Sequence, residues 1–174
     1  ARALGRKPGY EMSIETDIRQ WNGKSAHDIR AIYLRHSARP KLTESLVALC
    51  ADDDLETGAT WLLKHHLEET PGTLDCVLSE RLINLGTGFG SWEARLHLLQ
   101  MLDRLEIPQT AVEPLSQFTD ACLEDRKTLV RAWTYHGLYH LAKLDPSRAR
   151  RSRASAEGCS SFGQASRFHT TKWK

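Results

Sequence analysis

The chain has no long apolar run. Nothing in its 174 residues approaches the ~18 consecutive apolar side chains a bilayer-spanning helix needs. The opening stretch ARALGRKPGYEM has no hydrophobic block of the kind a secretory leader carries. The four cysteines, Cys50, Cys76, Cys122 and Cys159, form no CxxC pair, which excludes the usual zinc and dithiol motifs. Cys50, Cys76 and Cys122 fall in apolar helical patterns, where cysteine acts as a small buried hydrophobe. These absences lead to the expectation of a reduced, cytoplasmic protein with no membrane partner. Alternating apolar–polar runs are missing too, and with them the pattern of a half-buried strand. There is no GxSxG. The one glycine-rich stretch, GTGFGS at 86–91, follows a helical segment and lacks a lysine, so it reads as an inter-helix loop and not a phosphate cradle.

Positive charge is also scarce where a nucleic-acid groove would need it. The net charge of +2 divides unevenly. Residues 147–174 hold seven basic side chains against Glu157 alone, a balance of +6, and residues 1–146 carry 17 basic and 21 acidic groups, a balance of −4. The basic character is that of a tail, SRARRSRASAEGCSSFGQASRFHTTKWK, rich in Ser and Arg and without periodicity. A flexible tail is one reading. A nucleic-acid or acidic-protein contact through Arg148, Arg150, Arg151 and Arg153 is another, and RRSRAS also fits the basic context that some kinases favour.

What the sequence does contain is helical periodicity from residue 13 to residue 144. Ile14, Ile18 and Trp21 recur at helical spacing before Gly23, and Ser25 with Asp28 makes a capping box ahead of Ile29, Ile32, Tyr33 and His36. Pro40 is expected in the first turn of the next helix, and Ser91 is an N-cap for WEARLHLLQMLDRLEI. Asp145-Pro146 closes the last helix. The expected fold class is all-α. Pairs are expected at about 13–37, 42–69, 74–105 and 111–144, forming one domain over 1–146.

The pairs repeat. A shift of 39 places Leu99, Leu102 and Leu105 on Leu138, Leu141 and Leu144, and a shift of −36 places Leu98 and Leu99 on Leu62 and Leu63. One helix pair cannot bury its own apolar stripe, so three or more would stack into a continuous core. LEDRKTLVRAWTYHGLYHLA resembles the second helix of a HEAT repeat, with Asp125, Val130, Arg131, Gly137, Leu138 and Leu141 at the positions that pattern fills with Asp, Val-Arg, a small residue and spaced Leu. The resemblance covers roughly residues 40–146. It implies an α-solenoid of the HEAT or armadillo type, with the N-terminal pair as a cap and the second helices lining a concave face.

Under the same shifts Trp61, His97 and His136 coincide, as do His65, Met101 and His140. With Trp133, these residues make a ladder that either fills the gaps between pairs or lines a partner-binding groove. The two histidines of RAWTYHGLYHLAKLDP, His136 and His140, also lie on one helix face at metal-ligand spacing, and His97 is a conceivable third ligand. No carboxylate stands in register on that helix, and the His-Glu pairs of HEAT-like iron hydroxylases are absent, so no metal and no other cofactor is expected. Adjacent His65 and His66 in HHLEE read as a solvated helix end. The expected role is a non-catalytic scaffold that binds another protein. The alternative is nucleic-acid binding, either through the tail or in the manner of HEAT-like DNA-alkylation-repair glycosylases, for which Trp61, Trp133, Arg95 and Arg131 are the candidate residues.

Overall fold

The computed structural model describes residues 12–146. All regular structure among them is helical: α1 (Ile14–Gln20), α2 (Ala26–His36), α3 (Leu42–Leu49), α4 (Glu56–Glu69), α5 (Cys76–Gly86), α6 (Trp92–Met101), α7 (Val112–Leu123) and α8 (Thr128–Leu144). Single 3-10 turns at Leu102–Arg104 and Gln109–Ala111 join α6 to α7. The all-α expectation therefore holds for these residues. The tail 147–174, with Arg148, Arg150, Arg151, Arg153 and Cys159, lies outside them.

Local chemistry sets the helix starts. Ser13, Ser25 and Ser91 each accept the backbone N–H three residues on, and Asp75 accepts those of Val77 and Leu78. Helix α3 begins differently. Lys41 sits in the left-handed region at φ 59°, and Pro40 precedes it, outside the first turn where the sequence pattern put it. A proline ring fixes the approach to that turn without entering the helix.

Two layers result. α2, α4, α6 and α8 touch in succession, and α3, α5 and α7 do the same on the other side. Each sequential pair is in contact within itself. The N–H of Leu74 donates to the carbonyl of Arg104 (2.7 Å) and that of Glu106 to the carbonyl of Leu74 (3.0 Å). The entry to α5 thus lies beside the exit from α6, and the two helices run antiparallel. Helix α6 is enclosed by α4, α8 and α5, so Ala94, Leu96, Leu98, Leu99 and Met101 are buried around most of its circumference. Met101 is 2% exposed and belongs to the core, which corrects its expected place on a groove surface. Among cysteines, Cys50 and Cys122 are buried, and burial pushes both thiols up to about 12. Cys76, by contrast, is exposed at the start of α5, because the first turn of that helix faces solvent.

Acidic side chains at the turns tie one pair to the next. Asp125, between α7 and α8, accepts Arg95 Nε of α6 at 2.8 Å and the N–H of Lys127 at 2.7 Å. Asp52, between α3 and α4, holds Arg19 of α1. Glu56, at the start of α4, accepts the Ser91 N–H that opens α6.

Gly137 marks a close approach of α8 to its neighbours. A Cβ there would lie 2.6 Å from Thr119 Cγ2 of α7 and 3.2 Å from Leu99 Cδ2 of α6. Gly137→Ala is expected to destabilise by about 1–3 kcal/mol, despite alanine's better helix propensity, because α8 must move off both neighbours. Chemical denaturation checks this, and a stabilised variant would show that the seam is looser than described.

Candidate functional site

The histidines predicted to form a ladder sit at the seams between successive second helices. Between α2 and α4, Tyr33 Oη lies 3.2 Å from His66 Nδ1, and the His65 ring stands edge-on to Tyr33 at 4.7 Å and tilted to Trp61 at 4.9 Å. HHLEE is therefore no solvated helix end at its histidines: both pack on Tyr33, while Glu68 and Glu69 are exposed. Burial lowers the His66 pKa, helped by the neighbouring His65, and raises that of Tyr33.

At the α4–α6 seam His97 meets Thr60, Nδ1 to Oγ1 at 3.0 Å. The single hydroxyl proton of Thr60 goes to the Glu56 carbonyl (2.7 Å), so the threonine oxygen must accept here and His97 Nδ1–H must donate. The other ring nitrogen then carries a lone pair. Burial, with a lesser push from Lys64, lowers the His97 pKa to about 4. His97 is thus spent on Thr60 and takes no part in a cluster with His136 and His140, contrary to the role of third ligand considered for it.

The α6–α8 seam gathers two histidines around one carboxylate. His136 Nδ1 lies 2.9 Å from the Leu99 carbonyl oxygen, and His136 Nε2 lies 2.9 Å from Asp103 Oδ2. His140 Nε2 lies 2.9 Å from the other oxygen, Asp103 Oδ1. The two imidazole rings meet edge to face at 4.8 Å. Asp103 sits in the 3-10 turn just past α6 and is the carboxylate that the α8 sequence lacks. Burial pushes the Asp103 carboxyl up, but the two imidazoles more than offset this and hold it below its usual range. For His140 burial is the larger influence and lowers its pKa, against the pull of Asp103. Asp103 escapes a reading by repeat shifts because it is 33 and 37 residues from its partners, not 39. The available signal is an acid one turn beyond the apolar end of the preceding helix.

Alongside this seam α8 presents a broad aromatic face, with Leu129 and Trp133 on the side of the two histidines and Tyr135 and Tyr139 further round the helix. Leu129, Trp133, Tyr135 and Tyr139 are all exposed, from 36% for Trp133 to 69% for Tyr135. α8 has α6 as its neighbour within its own layer and α7 behind it, which leaves this face uncovered among the described residues. The Trp133 ring stands edge-on to His136 and the Tyr139 ring edge-on to His140, each at 5.7 Å. Trp61 is only half-buried, and Trp133 is the most exposed of the predicted ladder.

The groove arginines have other work. Arg95 gives Nε to Asp125 and Nη1 to the Phe89 carbonyl (2.6 Å), and Arg131 gives Nη1 to the Asp125 carbonyl (2.7 Å) and Nη2 to Thr128 Oγ1. Both are joints of the fold. A cleft of about 410 Å³ opens beside Arg95 between the 86–91 loop and the α7–α8 turn. Trp92 lines it with Lys127, whose Nζ lies 5.1 Å from the Trp92 ring centroid. Among the described residues no helix is long and apolar enough to cross a membrane. No protein-family model, curated protein or solved structure matches the chain.

Proposed function

We propose that the chain is a HEAT-like α-solenoid that acts as a protein-binding scaffold, and that it docks its partner on the outer face of α8. The observation that carries this is the exposure of Leu129, Trp133, Tyr135 and Tyr139 on one helix. Soluble chains expose single apolar side chains routinely, but four large ones along one helix suit a partner surface. Tyrosine and tryptophan are enriched among residues that dominate binding energy, because their rings bury much area at little cost in rotamer freedom. The two-layer succession of pairs and the 36–39-residue recurrence support the solenoid reading. The buried joints around Asp125 support it as well, since they would hold such a stack rigid.

A Leu129→Ala/Trp133→Ala/Tyr139→Ala variant should fold, because all three side chains are at least a third exposed. It is expected to lose about 30-fold or more in affinity for a protein partner, the loss of at least one hot-spot side chain. Affinity capture with quantification against the unaltered chain measures this. Retention of every partner at undiminished yield would sink the α8 face as the docking site.

A further inference from the structure

The contact between α8 and the end of α6 contains a mismatch of donors and acceptors. A carbonyl can only accept, so His136 Nδ1 carries the hydrogen that bonds Leu99 O. A neutral His136 ring then presents a lone pair at Nε2. That lone pair faces Asp103 Oδ2 at 2.9 Å, and an ionised carboxylate is likewise acceptor-only. Two acceptors at this distance need a cation between them. A proton would reconcile this one contact, whereas a metal ion would satisfy Asp103, His136 and His140 together.

We infer that Asp103, His136 and His140 form a binding site for a divalent transition-metal ion, zinc above all, with a coordination position left open to solvent. Three features beyond the residue types point there. The three ligand atoms lie within 4.8 Å of one another, and zinc with bonds of roughly 2.0–2.1 Å gathers tetrahedral ligands roughly 3.3 Å apart. The two histidines stand one turn apart on α8, so their separation is set by the helix, and Asp103 is exposed with its two oxygens already beside the two imidazoles. A ligating histidine is normally steered by a hydrogen bond from its other nitrogen to a carbonyl or carboxylate, and Leu99 O does this for His136. Two imidazoles with one carboxylate suit zinc and its transition-metal neighbours and disfavour magnesium and calcium, which take oxygen ligands. The ion would staple the exit of α6 to α8 and, through the His136–Trp133 and His140–Tyr139 ring contacts, fix the base of the aromatic face. This inference stands independently of what docks on that face.

The test uses the full chain, stripped with a chelator and titrated with Zn²⁺ by calorimetry and with Co²⁺ by absorption. The expected result is one zinc per chain, a Tm that rises with free zinc, and the visible bands of four-coordinate cobalt, with no response to Mg²⁺ at the same concentrations. Asp103→Ala, at an exposed position, is expected to weaken zinc about tenfold or more, as is His140→Gln. His27→Ala, an exposed histidine elsewhere, should leave the affinity unchanged. Absence of saturable one-to-one zinc binding would overturn the assignment. So would zinc affinity that survives Asp103→Ala, which puts the ion elsewhere on the chain and decides the matter even if His140→Gln misfolds.

Discussion

Asp125→Ala is expected to lower the unfolding free energy by about 3 kcal/mol, the low end of what removing one partner of a buried ion pair costs. The Asp125 side chain is 4% exposed and that of Arg95 24%. Alanine would leave that guanidinium partly desolvated, holding only the Phe89 and Gly90 carbonyls. It would also strip the Lys127 N–H of its acceptor just where α8 begins. The damage therefore falls on a joint between two pairs and not on one helix. Urea denaturation followed by helical circular dichroism measures the loss. A double-mutant cycle with Arg95→Ala should return a coupling energy above about 1 kcal/mol. A single-variant loss below that figure would show that the pair sequence alone, without this joint, holds α6 to α8.

The second large effect is acid sensitivity centred on His97. Its folded pKa of about 4 lies below the ordinary histidine value of 6.5, so the unfolded chain binds the proton more readily. Stability from this group is complete above pH 6.5 and is lost as pH falls towards 4. Over that window it amounts to roughly 3 kcal/mol at 1.36 kcal/mol per pKa unit. His66, also lowered by burial, adds in the same direction, and Glu56, raised by burial, works against it. His97→Gln separates the contributions, because glutamine can donate to Thr60 without titrating. The unaltered chain is expected to lose about 3 kcal/mol more than this variant between pH 7 and pH 4, read from denaturant midpoints at each pH. Parallel pH profiles for the two proteins would refute the assignment.

Several local features of this fold were legible before any tertiary contact. The Ser25 and Ser91 caps depend on a side chain and an N–H three residues away, and the apolar spacing of α2, α4 and α8 is likewise a matter of near neighbours. The same local rules misplaced Pro40, since nothing nearby announced that Lys41 would take a left-handed conformation before α3.

The sequence by itself determined that residues 12–146 fold as helices with no strands among them, and that His136 and His140 share one face of the last. Only the tertiary structure decided what that face meets. Met101 is core because α6 is enclosed on several sides, a property of its neighbours and not of its own pattern. His97 turned to Thr60 on one side, while Asp103, from a turn rather than a helix, came up to the other two histidines. Those meetings span 33 to 37 residues and depend on how α4, α6 and α8 are rotated against one another. Side-chain packing across the whole seam sets that rotation, which is why no spacing within a single helix could show it.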